Sequence, residues 1–446
     1  MNNLTGLPNK EKPSIRLWRL VGEVHAGEVS GVLILAANAF LLLASYYLLK
    51  TVREALILTE GGATVKAYSS ALQAAFFIVL IPAYSAFAAR VNRVGLMTWV
   101  SLAFAAQLVA FYVAGVAGLR EGVAFFLWVG VFNVFLVGQF WSFANDLYSE
   151  AAGKRLFPPI MLGSSLGALA GARLASYLIG RVGAYNLMLV TAACLLVCLA
   201  LTRLTHARAI ADAKHFVRVA PEARLARGSA WQMLASDRYL MLIAILTVLL
   251  NVVNTSGEFL LGKFVADQAT LVAGSNIELQ RRFVGEFYGD FFGWVNLVGV
   301  LLQTFAVSRI FRAVGVRGAL FLLPCIAFLG SALLLFMPVL GVVRVAKVLE
   351  NGTDYSVQNT ARHALFLSTS REAKYKAKAA IDTFFMRAGD MIQAGIVFVG
   401  TNLGLSVAGF AAVNLVLASI WLVTVFLLAS EHNRRNSAPA LALEVA

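Results

Sequence analysis

The sequence predicts an all-α, polytopic membrane protein of about twelve transmembrane helices in two six-helix halves. Three observations carry this. Hydrophobic residues make up 60% of the 446 residues and charged residues only 13%, against roughly half and a quarter in soluble domains. Mean hydropathy is +0.78, too apolar for the chain to hide its greasy surface in a water-facing globule. The apolar residues also come in long runs, about twelve of which are long enough to cross a bilayer as helices. An open sheet is excluded as a spanning element, because lipid leaves its edge groups unpaired.

Taken in order, the first six spans are read as residues 31–50, 68–89, 95–118, 122–145, 157–179 and 185–201. The second six are 239–265, 287–308, 318–337, 339–355, 379–399 and 405–429, the tenth being the most charged. Residues 1–30 hold Lys10, Lys12, Arg16 and Arg19 and no apolar core, so they read as a cytoplasmic tail and not a cleavable signal peptide. Residues 205–238 are polar and rich in Ala and Arg, and they read as a linker. The expected units are therefore a tail (1–30), a first half (31–204), the linker (205–238), a second half (239–430) and a C-terminal tail (431–446).

Orientation follows from lysine and arginine. The N-terminal tail, the linker, the even-numbered span ends and the C-terminus together hold 25 of the 37 basic residues. The opposite side holds Lys66, Arg120, Arg181, Arg281 and Arg282. Both termini and the linker are thus expected inside. Topology accounts for most of the net charge of +14, so no nucleic-acid partner is needed. Cys194, Cys198 and Cys325 lie in apolar runs and the five histidines are scattered. Neither pattern predicts a disulfide framework, a metal site or a cofactor. No Gly-x-x-x-x-Gly-Lys-Ser/Thr run is present, which argues against an ATP-driven pump. No enzyme is expected.

The halves read as copies. Lys50-Thr-Val-Arg-Glu54-Ala-Leu56 parallels Asn254-Thr-Ser-Gly-Glu258-Phe-Leu260 at an offset of 204. Arg90-Val-Asn-Arg93 parallels Arg309-Ile-Phe-Arg312, and Asp146-Leu-Tyr-Ser149 parallels Asp354-Tyr-Ser356. Their common order and similar offset indicate a parallel duplication. That is the layout of major-facilitator transporters, whose substrate site lies near the midplane between the halves.

A Lys, Arg or Asp at a span centre costs about 2.5–3.5 kcal/mol, so each wants a reason. Lys50, Arg53 and Glu54 share one face of span one, within about 100° of arc. They read either as a cationic cavity wall or as basic side chains snorkelling at a helix end. Glu258 follows the polar run Asn254-Thr-Ser256 in span seven, and Asp290 opens span eight. Arg344, Lys347, Glu350 and Asp354 form a stripe in span ten, with Lys347–Glu350 spaced as an i,i+3 pair. Span eleven carries Asp382, Arg387 and Asp390 behind a basic run ending at Lys378. The cationic excess suits an anionic, phosphorylated substrate. Gly163, Gly167 and Gly171 in span five read as close helix packing, not phosphate binding.

Several blocks resemble the nucleotide transporters (ATP/ADP antiporters) of plastids and intracellular bacteria. They are Tyr47-Leu-Leu-Lys-Thr-Val-Arg-Glu-Ala-Leu56, Phe140-Trp-Ser-Phe-Ala-Asn145 with Lys154-Arg-Leu-Phe-Pro158, Phe287-Tyr-Gly-Asp-Phe291 and Lys376-Ala-Lys-Ala-Ala-Ile-Asp382. The resemblance is to the bacterial branch and implies a multi-pass protein of a bacterial inner membrane that exchanges nucleotides. It implies that Arg53 takes the place of the family's first-span lysine, that Glu258 is its span-seven glutamate and that Lys378 is its span-eleven lysine. A family glutamate in span four is matched here by Val129.

The reading is a monomeric antiporter of ATP/ADP or NTP/NDP in the lipid bilayer, working by alternating access. Substrate contacts are expected from Arg53 and Lys378, with Lys50 and Arg387 behind them, a base stacking on Tyr46 or Tyr47, and Asn145. Gate or ion-pair roles fall to Glu54, Glu258, Asp290 and Asp382. The rivals are a proton-coupled carrier of another organic anion and a non-transporting membrane receptor.

Overall fold

The computed structural model describes residues 28–88, 91–211, 230–370 and 372–444. Residues 1–27 of the predicted N-terminal tail, most of the linker and the basic residues Arg90 and Arg371 lie outside the described residues, and α1 begins at Val29 inside the predicted tail. Twelve helical rods follow one another, and no strand occurs among the described residues. The first half comprises α1 (Val29–Glu60), α2 (Gly62–Ala88), α3 (Arg93–Val116), α4 (Gly122–Leu147), α5 (Glu150–Val182) and α6 (Ala184–Ala211). A short helix, Ala230–Ser236, leads into the second half. That half comprises α7 (Arg238–Ala273), α8 (Ile277–Leu301), α9 (Val307–Phe336), α10 (Leu340–Thr353), α11 (Met386–Asn402) and α12 (Val407–Glu444).

Local chemistry sets the ends. Asn92 caps α3, Ser149 caps α5 and Asp237 caps α7, each side chain accepting a hydrogen bond from an N–H of the first turn. The apolar helical run Ile277–Phe336 is 60 residues long, about 90 Å at helical rise and far longer than one bilayer crossing. Gly315, at φ 68° inside α9, breaks it into two spans, so residues 307–314 continue the α8 rod. Single π turns interrupt α4 (Asn133–Val137), extend α10 (Asp354–Gln358) and precede α11 (Ile381–Phe385).

Several rods outrun their predicted spans. α1 continues ten residues beyond Lys50, α5 starts at Glu150 and not residue 157, and α6 reaches Ala211. The physical reason is the same in α1 and α5: a span length read from lipid cost ends at the first charges. Inside the bundle those charges are paired and the backbone stays helical.

Packing repeats under a shift of six helices. α1 packs on α4, α5 and α6, and α7 packs on α10, α11 and α12; α3 lies on α6 as α9 lies on α12. The contacts between halves also exchange under this shift, α2/α11 with α5/α8 and α1/α8 with α2/α7. A parallel duplication has this symmetry.

Small residues set the closest approaches. A Cβ on Gly163, Gly167 or Gly171 would overlap the backbone carbonyl oxygens of Ala36, Phe40 and Ala44 on α1. The glycine stripe is thus the seam on which α5 lies against α1, which is close packing of the small-residue kind. A second stripe on α8, Gly285, Gly289 and Gly293, faces Ile179, Ser176 and Arg173 of α5. This seam joins the two halves.

Candidate functional site

Between the halves lies a cavity of ≈ 220 Å³, lined by α1, α2 and α4 of the first half and α7, α8, α10 and α11 of the second. Of the residues singled out from sequence, Lys50, Arg53, Glu54, Asn254, Thr255, Glu258, Arg387 and Asp390 line it. The one-face arithmetic for α1 places the first three on a single wall.

That wall is largely self-neutralised. The Arg53 guanidinium donates through Nε to Glu54 Oε1 at 3.1 Å and lies 4.6 Å from the Phe126 ring centroid. Glu54, 1% exposed, receives Lys66 Nζ on its other oxygen at 2.6 Å. Lys66 Nζ lies 3.8 Å from Glu258 Oε2, and Asn351 Nδ2 donates to Glu258 Oε1 at 2.8 Å. Arg387 pairs with Asp390 at 3.5 Å and lies over Phe77. Asn251 Nδ2 donates to the other Asp390 oxygen at 2.8 Å. Lys50 differs: among the described residues it faces no carboxylate within salt-bridge reach, and its ammonium sits 4.1 Å over the Phe292 ring.

Below this wall Lys347, 1% exposed, donates to Asn254 O and Oδ1 and to Glu350. The Lys347–Glu350 pair expected from spacing forms at 2.8 Å. All three ammonium protons are used, so this lysine braces α10 against α7.

The other residues singled out lie apart from the cavity lining. Asp290 bridges Arg173 of α5 and Arg344 of α10, joining the halves. Lys378 pairs with Asp382 at 3.5 Å, both on the irregular approach to α11. Tyr47 is buried edge-on between Tyr46 and Phe292. Asn145 is exposed near the end of α4.

Sequence reasoning missed Lys66, assigned only to a loop by its charge, and also Asn351 and Gln393. Lys66 and Glu54 lie on opposite arms of the α1–α2 hairpin, and no helical period reaches across its glycine turn. Sequence reasoning also missed a second charged cluster where α1 ends. There Glu60 accepts the Gly122 N–H at 2.7 Å and pairs with Arg281 of α8 at 3.0 Å. Arg281 also holds Glu278 and lies over Tyr185. This ion pair seals α1 against α8 across the two halves.

Glu121, beside this seal, is 6% exposed, and neither carboxylate oxygen has a hydrogen-bond partner. Burial, with the Glu60 charge, pushes its carboxyl up to about 7, against a smaller opposing pull from Arg281. A carboxyl raised in the sealed state stabilises that state below its ordinary range, and the contribution is lost as pH rises through about 7. The seal is therefore expected to loosen between about pH 4.5 and 7. The check is thiol labelling, from the sealed side, of an Ala63→Cys probe in the cavity wall. Labelling should rise with pH relative to the same probe in a Glu121→Gln background, where the seal stays neutral. Identical pH profiles in the two backgrounds would refute the link.

Similar proteins agree with this architecture. A bacterial homologue of the iron transporter ferroportin, in an inward-facing state, has a TM-score of 0.64 at 13% identity, over 90% of this chain and 99% of that one. The nucleoside transporter NupG has a TM-score of 0.62 at 15% identity, over 90% and 98%. Likeness at these identities shows the fold alone. Fold and cavity together define an all-helical, multi-pass membrane protein with a major-facilitator-like fold.

The sequence narrows the class. Residues 310–432 match the family model described as TLC ATP/ADP transporter. An "ADP,ATP carrier protein 1" of Chlamydia pneumoniae is 23% identical over 344 residues, 66% of this chain and 63% of that protein. The protein of the same name from Chlamydia trachomatis serovar D is 26% identical over 35% of this chain and 36% of its own length. The chain thus spans about 63% of the length of the first of these relatives. Over residues 310–432 the chain is similar to the nucleotide transporter family that the model describes.

Proposed function

We propose that this protein is an antiporter that exchanges nucleotides, ATP/ADP or NTP/NDP, by alternating access. One observation supports this most: the inter-half cavity carries Lys50, a cation without a carboxylate partner among the described residues, beside the Arg53 guanidinium. Lys and Arg are the usual partners of phosphate oxygens. The family model and the names of the Chlamydia relatives point to the same substrates. In this reading Lys50 and Arg53 receive the phosphates, Arg387 assists, and Glu54 and Glu258 hold the cations while the site is empty. Lys378 and Asp382 lie on the access path. Asp290 is a joint between the halves, with Tyr47 and Asn145 shaping the path walls.

The proposed setting is a bacterial inner membrane, with the protein a monomer in lipid and both termini cytoplasmic, as the basic-residue asymmetry argues. The Glu60–Arg281 seal then faces outward. Residues 31–204 and 239–430 form the rocking halves and 205–238 the linker. The test is uptake of labelled ATP into proteoliposomes loaded with ADP. Internal ADP is expected to stimulate uptake at least several-fold over empty vesicles, and unlabelled nucleotides to compete. Uptake indifferent to internal nucleotide would overturn exchange.

A further inference from the structure

Lys66 stands where the two halves' matching carboxylates converge. Glu54 and Glu258 occupy corresponding places in the duplicated motifs of α1 and α7. Glu54 lies six residues before Glu60 and Lys66 six residues after it, on the two arms of the hairpin that turns at Gly62, φ 71°. The turn brings Lys66, four residues into α2, alongside Glu54, which lies about 9 Å back along α1 from the Glu60 seal. Its ammonium sits 2.6 Å from Glu54 and 3.8 Å from Glu258. One lysine of the first half therefore neutralises a glutamate from each half, and the bridge to Glu258 ties α2 to α7.

Charge accounting around the cavity shows what this bridge does. The lining cations are Lys50, Arg53, Lys66 and Arg387, and the lining carboxylates are Glu54, Glu258 and Asp390. Asp390 is held by Arg387 and Asn251. Arg53 and Lys66 share Glu54. Glu258 has Asn351 and Lys66. Among the described residues, withdrawing Lys66 leaves Glu258 without a cation within salt-bridge reach and leaves Glu54 to Arg53 alone.

We propose that Lys66 is a substrate-phosphate ligand that a glutamate from each half occupies in the empty state, so that phosphate binding breaks the Lys66–Glu258 bridge between the halves. This rests on the nucleotide-exchange reading above. Two consequences follow from Coulomb's law at short range in a site of low effective dielectric. A substrate must carry enough negative charge to displace carboxylates, so a triphosphate gains more from Lys66 than a diphosphate, and a nucleoside gains nothing. An empty cavity keeps its bridge, which ties the halves and suppresses transit without cargo.

The test uses the full chain in proteoliposomes, as wild type, Lys66→Met, Lys66→Arg and the double variant Lys66→Met/Glu258→Gln. Lys66→Met is expected to raise KM for ATP about tenfold, the lower end of the effect of one charge-assisted hydrogen bond, because Glu54 and Glu258 compete for the ammonium. The rise should be smaller for ADP and absent for adenosine binding. ATP efflux into nucleotide-free medium should increase, because the empty carrier can now return. Lys66→Arg should restore the KM values to within a few-fold. The double variant removes the orphaned carboxylate, so it folds even if Lys66→Met does not, and it must still lose the preference for triphosphate over diphosphate. If folded Lys66→Met or the double variant keeps the wild-type ATP-to-ADP KM ratio and wild-type uncoupled efflux, the proposal is wrong. Wild type that exchanges no nucleotide would instead overturn the function on which it rests.

Discussion

Gly289→Leu is expected to cut exchange by at least about tenfold while the protein still folds. The reason lies in which backbone it faces. A Cβ at Gly289 would sit 2.6 Å from the backbone nitrogen of Ser176 and 2.8 Å from its Cα. The neighbouring glycines on the same face, Gly285 and Gly293, meet the side chains of Ile179 and Arg173, which can turn away. Backbone cannot, so any side chain at position 289 must push α8 off α5. Overpacking of this kind costs about 1–3 kcal/mol, and more where neither side yields. The strain falls on a seam between halves, next to the Ser176 Oγ–Glu286 O hydrogen bond of 2.9 Å and the Arg173–Asp290–Arg344 bridge. If the halves rock about this seam, wedging it open changes the balance of states more than the integrity of either half.

Gly167→Leu supplies the contrast. Its Cβ would strike the Phe40 backbone, but within the first half, on the α1/α5 seam. That variant should lower the melting temperature and the yield of folded protein. Gly341→Ala, where an added Cβ meets nothing within 4 Å, should change neither. The measurements are exchange rate per folded protein and thermal melting in detergent. Wild-type exchange by Gly289→Leu would remove the α5/α8 seam from the mechanism.

What the sequence made legible, and what it hid, follows from the range of each rule. Hydropathy located the rods because lipid acts on every residue of a span in the same way. It misplaced the end of α1, because Arg53 and Glu54 neutralise each other inside the bundle, where a lipid scale charges both in full. The Gly163, Gly167 and Gly171 stripe was readable as packing, since a spacing of four places residues on one face. Helical arithmetic grouped Lys50, Arg53 and Glu54 because α1 is unbroken there. It carried less from Lys378 to Arg387, because the π turn Ile381–Phe385 lies between them and resets the face by inserting an extra residue. Lys66, Asn351 and the Glu60–Arg281–Glu121 cluster depend on contacts between different helices. No periodicity within one helix encodes them.

The largest loss of substrate affinity is expected from Lys50→Ala, ahead of Arg53→Ala, with Lys378→Ala well behind both. The resemblance ranked Arg53 and Lys378 first, and the geometry gives a reason to reorder them. A phosphate that binds Arg53 must compete with Glu54, which already accepts from its Nε at 3.1 Å. A phosphate that binds Lys50 displaces only the Phe292 and Tyr47 faces, 4.1 and 5.3 Å from the ammonium, contacts of about 0.5–2 kcal/mol each. The net gain is therefore greater at Lys50. A charge-assisted contact contributes about 1.5–3 kcal/mol, so Lys50→Ala should weaken ATP binding about ten- to a hundredfold. Arg53→Ala should fall at the lower end of that range. Arg53→Lys should lie between it and wild type, since it keeps the charge but loses the planar fork. Lys378 is part-exposed, paired with Asp382 and away from the cavity lining; in water-exposed positions such charges contribute about 1 kcal/mol or less. Its removal should slow uptake more than it weakens equilibrium binding. Binding is to be read by titration of purified, folded protein with ATP, ADP and adenosine. The losses should grow with phosphate number, because a base-only contact would be the same for all three ligands. If Lys50→Ala binds ATP as wild type does and Lys378→Ala does not, the phosphates sit at the approach to α11 and the cavity between the halves is a passage they only cross.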